Sequence, residues 1–225
     1  METIIVSDTA SLAQAAADLI EAEISPLHST MLGLAGGSTP AATYDVLAGR
    51  TIDWSTTTAW IPDERWVPPD DDASNQLMAR TALTDRVNLR LFAPDTTGDD
   101  PVASARDYSD MIAPLLAADS ARSITMLGMG TDGHTASLFP GTTALRDTSD
   151  SYVANFVPQL DTWRITATFG LLALSDVVMF LVSGEAKAEK VAEIASGAEY
   201  PAGRVTARER VVWLLDEAAA SGLSR

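Results

Sequence analysis

Ser123-Ile124-Thr125-Met126-Leu127-Gly128-Met129-Gly130-Thr131-Asp132-Gly133-His134 begins as an apolar run and ends in a loop broken by three glycines. Ser123 to Leu127 reads as a short buried strand, and Gly128, Gly130 and Gly133 let the chain turn sharply at its carboxyl end. In open α/β sheets that end is where ligands bind. The loop carries His134, one of two histidines in the chain, and histidine is the side chain best suited to accept and return a proton near neutral pH. A glycine turn alone implies only unusual backbone angles. Three further segments, however, carry phosphate-type or carboxylate-type chemistry at strand ends.

Working outward, strand and helix patterns alternate. Thr3 to Val6 reads as a strand, and Leu12, Ala16, Leu19, Ile20 and Ile24 recur at helical spacing behind a capping Ser7 or Asp8. Met31 to Ala35 is the next apolar run, followed by a helix through Leu47. Thr57 to Ile61 is a third strand, with Asp63-Glu64-Arg65 at its end. A helix around Asn75 to Asp85, a strand at Leu89 to Phe92 and a helix from Val102 to Ala118 precede the opening segment. Beyond it, Tyr152 to Val157 and Ile165 to Phe169 are β-rich, Leu171 to Leu174 is a short helical piece, and Val177 to Val182 is a continuous apolar strand. Gly184 to Ile194 reads as a helix, and Val211 to Leu215 as a strand or short helix. This alternation predicts an α/β fold with a mostly parallel sheet and helices on both faces. Neither an internal repeat nor a linker divides the chain, so residues 1–225 are expected to form one domain.

Composition narrows the function. A net charge of −16 repels nucleic acid and anionic membranes, and no apolar stretch has membrane-spanning length. Without a basic, apolar leader at the amino terminus, a cytoplasmic location is expected. The absence of cysteine excludes disulfides, thiolate nucleophiles and cysteine-ligated zinc, and two distant histidines do not suggest a metal site. Neither a metal, nor a cofactor, nor an obligate protein partner is expected; His28 receives no function. An anionic small molecule would need a local cationic pocket. The basic residues are thirteen arginines with Lys187 and Lys190, which directs attention to Lys187, just after an apolar strand.

Gly36-Gly37-Ser38-Thr39-Pro40 lies between a strand and a helix, where free N–H groups and two hydroxyls can cradle a phosphate at the helix's positive end. It lacks the GKS or GKT of a Walker loop and is not GxGxxG. Asp63-Glu64-Arg65 reads as a surface ion pair or, at a strand's carboxyl end, as an arginine fork for a phosphate or oxyanion. Ser183-Gly184-Glu185-Ala186-Lys187 repeats the strand, glycine, helix arrangement and places Lys187 in the first helical turn. There a lysine opposes the helix dipole unless it pairs with Glu185, Glu189 or an anionic ligand.

Five segments together resemble the family that holds 6-phosphogluconolactonase and glucosamine-6-phosphate deaminase. They are LAGGSTP (Leu34 to Pro40), PDERWVP (Pro62 to Pro68) with Ser74-Asn75, LGMGTDGHTASLFPG (Leu127 to Gly141), RIT (Arg164 to Thr166) and SGEAKA (Ser183 to Ala188). The resemblance spans nearly the whole chain and favours the lactonase branch. Deaminases are expected to continue DGH with a glutamate-bearing IAFNEPG-like run, whereas Thr135-Ala136-Ser137-Leu138-Phe139-Pro140 follows here.

It implies a Rossmann-like fold of the type shared with ribose-5-phosphate isomerase and CoA-transferase domains, and a sugar-phosphate lactone as substrate. Combined with the residue chemistry, it suggests His134 as general base and acid, with Asp132 orienting it. Arg65 and the N–H groups of the glycine loops, including Gly130 and Gly133, would meet the oxyanion. Gly36, Gly37, Ser38, Thr39 and Lys187 would hold the phosphate, Arg164 being a second candidate, and Asp63 would bind sugar hydroxyls. A deaminase and a non-catalytic sugar-phosphate sensor are the competing readings.

Overall fold

The computed structural model describes residues 1–118 and 120–223. In chain order the first half comprises β1 (Glu2–Val6), α1 (Thr9–Glu23), β2 (Ser29–Gly33), α2 (Ser38–Ala48), β3 (Thr57–Trp60), β4 (Asp63–Arg65), α3 (Asn75–Ala79), β5 (Arg90–Phe92) and α4 (Pro101–Ala117). The second half comprises β6 (Ala121–Leu127), β7 (Tyr152–Val157), β8 (Thr162–Ala167), α5 (Phe169–Ala173), β9 (Val177–Val182), α6 (Ala188–Ala195) and β10 (Arg210–Asp216).

Seven strands pair in parallel in the order β1-β10-β9-β6-β2-β3-β5. Strand alternation divides the core in two. Val177, Met179 and Leu181 of β9, with Val212 and Leu214 of β10, pack with Leu12, Ile20, Tyr44, Leu47 and Leu83 on the face covered by α1, α2 and α3. Val178, Phe180 and Val182, with Trp213 and Leu215, pack with Ile112, Leu116, Leu172 and Val191 on the face covered by α4, α5 and α6. All six residues of β9 are buried, which explains its uninterrupted apolar sequence. Asp8 caps α1 by accepting from Ser11 N–H at 2.7 Å.

Several elements differ from the sequence expectation. Asp63 to Arg65 does not end the third strand; it leaves the main sheet and forms β4 of a second, antiparallel sheet ordered β4-β8-β7. β8 stops at Ala167 because the Thr168 hydroxyl caps α5, accepting from Leu171 N–H. The helix at Asn75 widens into a π-helical turn over Arg80–Thr84. Lys187 ends a 3₁₀ turn (Glu185–Lys187) that precedes α6, and Val211 to Leu215 is strand.

Glu64 fixes the junction between β4 and α3. Its side chain is fully buried rather than part of a surface ion pair, and it accepts from the N–H groups of Arg65, Asn75 and Gln76, each at 2.7 Å, and from the Ser74 hydroxyl at 3.2 Å. Burial pushes its carboxyl above the usual range against those donors, which act to lower it. Glu64→Ala leaves these donors without their acceptor and is expected to cost about 3 kcal/mol, since stranding a buried donor costs about 1–3 kcal/mol. Urea denaturation checks this, with Glu64→Gln expected to lose less.

Candidate functional site

The chain reverses its winding direction between β2 and β6: from β2 it proceeds outward to β3, and from β6 to β9 on the other side. A crevice at such a switch point lies outside the carboxyl ends of the strands. Here it is a cleft of about 330 Å³ lined by Gly36, Gly37, Ser38 and Thr39 after β2, Asp63 and Arg65 after β3, Gly130 and His134 after β6, and Ser183 and Lys187 after β9. Four loops from four adjacent strands thus meet, although they are distant in sequence.

His134 and Asp132 form a dyad. Nδ1 of the imidazole lies 2.6 Å from Asp132 Oδ1, which also accepts from the His134 N–H at 3.1 Å. This network assigns the Nδ1–H tautomer and leaves Nε2 as the acceptor. Burial raises the Asp132 carboxyl, but hydrogen bonding and attraction from His134 outweigh it, so the carboxyl sits below its usual range. The Phe139 ring stacks on the imidazole, centroids 3.9 Å apart and planes 23° from parallel. Asp132 itself is not among the cleft-lining residues; it reaches the cleft only through the histidine.

The glycines of this loop do different work from that expected. Gly130 N–H donates to the His134 carbonyl at 2.8 Å and Gly133 N–H to the Gly130 carbonyl at 3.1 Å. Both amides are therefore spent within the turn, and neither is free to meet an oxyanion. Gly130 instead makes room, because a Cβ there would collide with the imidazole and fall 2.7 Å from Asp132 Oδ1. Gly133, at φ +80°, lies in the left-handed region and outside the cleft lining.

After β2, Gly37 adopts φ 111° and α2 begins at Ser38 with no side chain capping its first turn, so its leading N–H groups remain available at the positive end of the helix. A Cβ on Gly36 would collide with the carboxamide of Asn75, whose Nδ2 donates to the Asp63 carbonyl at 2.7 Å. Asn75 lines the cleft too; it stood in a recognised motif, but its approach to Gly36 depends on β4 leaving the main sheet and has no sequence signal.

Across the cleft, Lys187 forms no ion pair among the described residues. Burial lowers its pKa, opposed by the negative charge of Asp132. Asp216 accepts from the Ser183 hydroxyl at 2.7 Å and the Gly184 N–H at 3.0 Å, fixing the loop that leads to Lys187.

Arg65 and Arg164 face one another in the β4–β8 register. The Arg65 guanidinium donates to the Ala73 carbonyl, while Nε of each arginine is buried without a partner. Burial lowers the pKa of Arg164, and the Arg65 charge lowers it further. Arg65 lines the cleft; Arg164 does not.

A buried polar network backs this arrangement. The Ser137 hydroxyl donates to Asp63 Oδ2 at 2.6 Å, and its N–H donates to the Thr166 hydroxyl at 3.2 Å. Asn155 Nδ2 donates to the Ser137 carbonyl at 2.9 Å and the Thr142 hydroxyl at 3.0 Å. Among the described residues no group of three or more His, Cys, Asp or Glu side chains could hold a metal ion, and no helix is long and apolar enough to cross a membrane.

Comparison with known proteins matches the sequence and the overall fold to a family. The sequence profile of the glucosamine-6-phosphate isomerases/6-phosphogluconolactonase family matches residues 7–213. A 6-phosphogluconolactonase of Mycobacterium leprae is 35% identical over 237 residues, covering 96% of each chain. One from Nostoc sp. is 35% identical over 205 residues, covering 86% of this chain and 84% of its own. The crystal structure of 6-phosphogluconolactonase from Thermotoga maritima superposes with a TM-score of 0.84 at 27% identity, covering 96% of this chain and 99% of the other. With a profile match across most of its length and relatives above 30% identity on nearly the same span, the chain belongs to the glucosamine-6-phosphate isomerase/6-phosphogluconolactonase family.

Proposed function

We propose that the protein hydrolyses 6-phospho-D-glucono-1,5-lactone to 6-phosphogluconate, the ring-opening step of the oxidative pentose phosphate pathway, in the cytoplasm. The observation that carries this reading is that His134, held by Asp132, shares one cleft with an uncapped helix start and with Lys187, which forms no ion pair among the described residues. The names of the relatives point to the same reaction.

In this mechanism His134 Nε2 takes a proton from water as the water oxygen bonds to the lactone carbonyl carbon. Asp132 holds the imidazole by Nδ1 and stabilises its charged form. The carbonyl electrons move onto oxygen, where the Arg65 guanidinium meets the developing charge. As the intermediate collapses, the bond to the ring oxygen breaks and His134 returns its proton to that oxygen. Gly36, Gly37, Ser38 and Thr39 hold the phosphate with Lys187, while Asp63 accepts from sugar hydroxyls. Anchoring the remote phosphate fixes the carbonyl against the base, so binding energy becomes orientation. Arg164 supports the positive potential behind Arg65.

The test is hydrolysis of freshly generated 6-phosphogluconolactone, corrected for spontaneous opening, beside ammonia release from glucosamine 6-phosphate. His134→Ala is expected to lower kcat by about two to four powers of ten, the usual size of general acid–base help, with substrate binding largely kept. Retained turnover removes His134 from the mechanism. Ammonia release instead moves the protein to deamination, and silence in both assays with tight sugar-phosphate binding makes it a sensor. Lys187→Ala is expected to raise KM at least tenfold, the loss of one charge-assisted contact being worth about 1.5–3 kcal/mol; normal saturation in that variant refutes the phosphate role.

A further inference from the structure

Tyr200 belongs to none of the five segments, yet it touches the one that carries His134 and is held by the helix that follows the one carrying Lys187. Its side chain lies against Gly133, so closely that a Cβ at that position would fall 2.6 Å from Tyr200 Cδ1 and 2.9 Å from its Cβ. Two residues on, Ala202 N–H donates to the Gly133 carbonyl at 3.0 Å. The stretch from Tyr200 to Ala202 thus buttresses the residue directly before His134.

The other end of the tyrosine is held by α6. Its hydroxyl donates to Glu193 Oε2 at 2.7 Å and accepts from Lys190 Nζ at 3.1 Å, while Lys190 also reaches Glu193 at 2.6 Å and lies 4.9 Å from the ring centroid. Lys190 and Glu193 stand three residues apart on one helical face. That helix begins immediately after Lys187. One side chain therefore spans from the helix entered through Lys187 to the turn that carries the imidazole.

We propose that Tyr200 is a positioning residue for lactone hydrolysis, setting the separation between His134 and Lys187 by wedging its ring between α6 and Gly133. The proposal rests on the assignment of His134 as base and Lys187 as phosphate ligand. Geometry makes the wedge effective. With no side chain on Gly133 the ring bears on the backbone itself, so a shift of the ring moves the loop. The phenolic contacts lie at a partly exposed site, where ion pairs contribute little, which assigns the effect to the ring and not to the hydroxyl.

The test compares kcat and KM of Tyr200→Phe, Tyr200→Leu and Tyr200→Ala with the native protein and His134→Ala. Near-ultraviolet circular dichroism gives the native fraction of each. Tyr200→Phe is expected to keep kcat within about threefold. Tyr200→Ala is expected to lose about 10- to 100-fold in kcat with KM changed less than about threefold, because displacing a catalytic group by about 1 Å costs that much. Tyr200→Leu falls between and decides the matter should the alanine variant not fold. Native kcat in Tyr200→Ala or Tyr200→Leu, or a loss confined to KM, overturns the proposal while His134→Ala remains inactive. Full activity in His134→Ala overturns the base assignment and this proposal with it.

Discussion

The parallel pairing of β2 with β6, which sets Gly33 beside Thr125, is the contact on which the cleft depends. Because the chain winds outward from this pair in both directions, the loops after β2 and β6 have no helix crossing between them and open toward each other. The neighbouring strands β3 and β9 then deliver their loops to the same place. Were β6 paired elsewhere in the sheet, the imidazole and the uncapped start of α2 would no longer share a cleft.

Charge acts within this frame against the rest of the molecule. A chain of net charge −16 repels an anion at long range. Arg65, Arg164 and Lys187 nevertheless lie on loops and strands that meet at or just behind the cleft, and none of them forms an ion pair among the described residues. Most other arginines are neutralised by neighbouring carboxylates, as Arg50 is by Asp18 and Glu21 and Arg122 by Glu23 and Glu209. With burial lowering the pKa of both Arg164 and Lys187, a bound anion would relieve a cost already present in the fold.

The parallel sheet was legible because its central strands β2, β6 and β9 are apolar runs followed by glycine turns, and because amphipathic helices separate the runs. The second sheet was not. β4 has three residues, all polar or charged, and becomes a strand only by pairing with β8, about one hundred positions later; no local periodicity announces that. The site divides in the same way. His134, the Gly36 to Thr39 turn and Lys187 are visible as side-chain types at strand ends. The spent amides of Gly130 and Gly133 follow from how one short turn closes on itself, which residue type does not specify, while the closeness of Asn75 to Gly36 and the contact of Tyr200 with Gly133 join segments far apart in sequence, which propensity and spacing do not encode.

The network joining Asn155, Ser137, Thr166 and Asp63 has a consequence for how the molecule fluctuates. The stretch after His134 is mostly irregular backbone, the kind of segment that usually opens at low cost in free energy. Here its release would strand several polar groups in the interior at once, because Ser137, Asn155 and Thr166 are all fully buried. Amide protons along Ser137 to Ala144 should therefore exchange with solvent on the timescale of the core strands, making this irregular segment one of the last parts of the protein to let go.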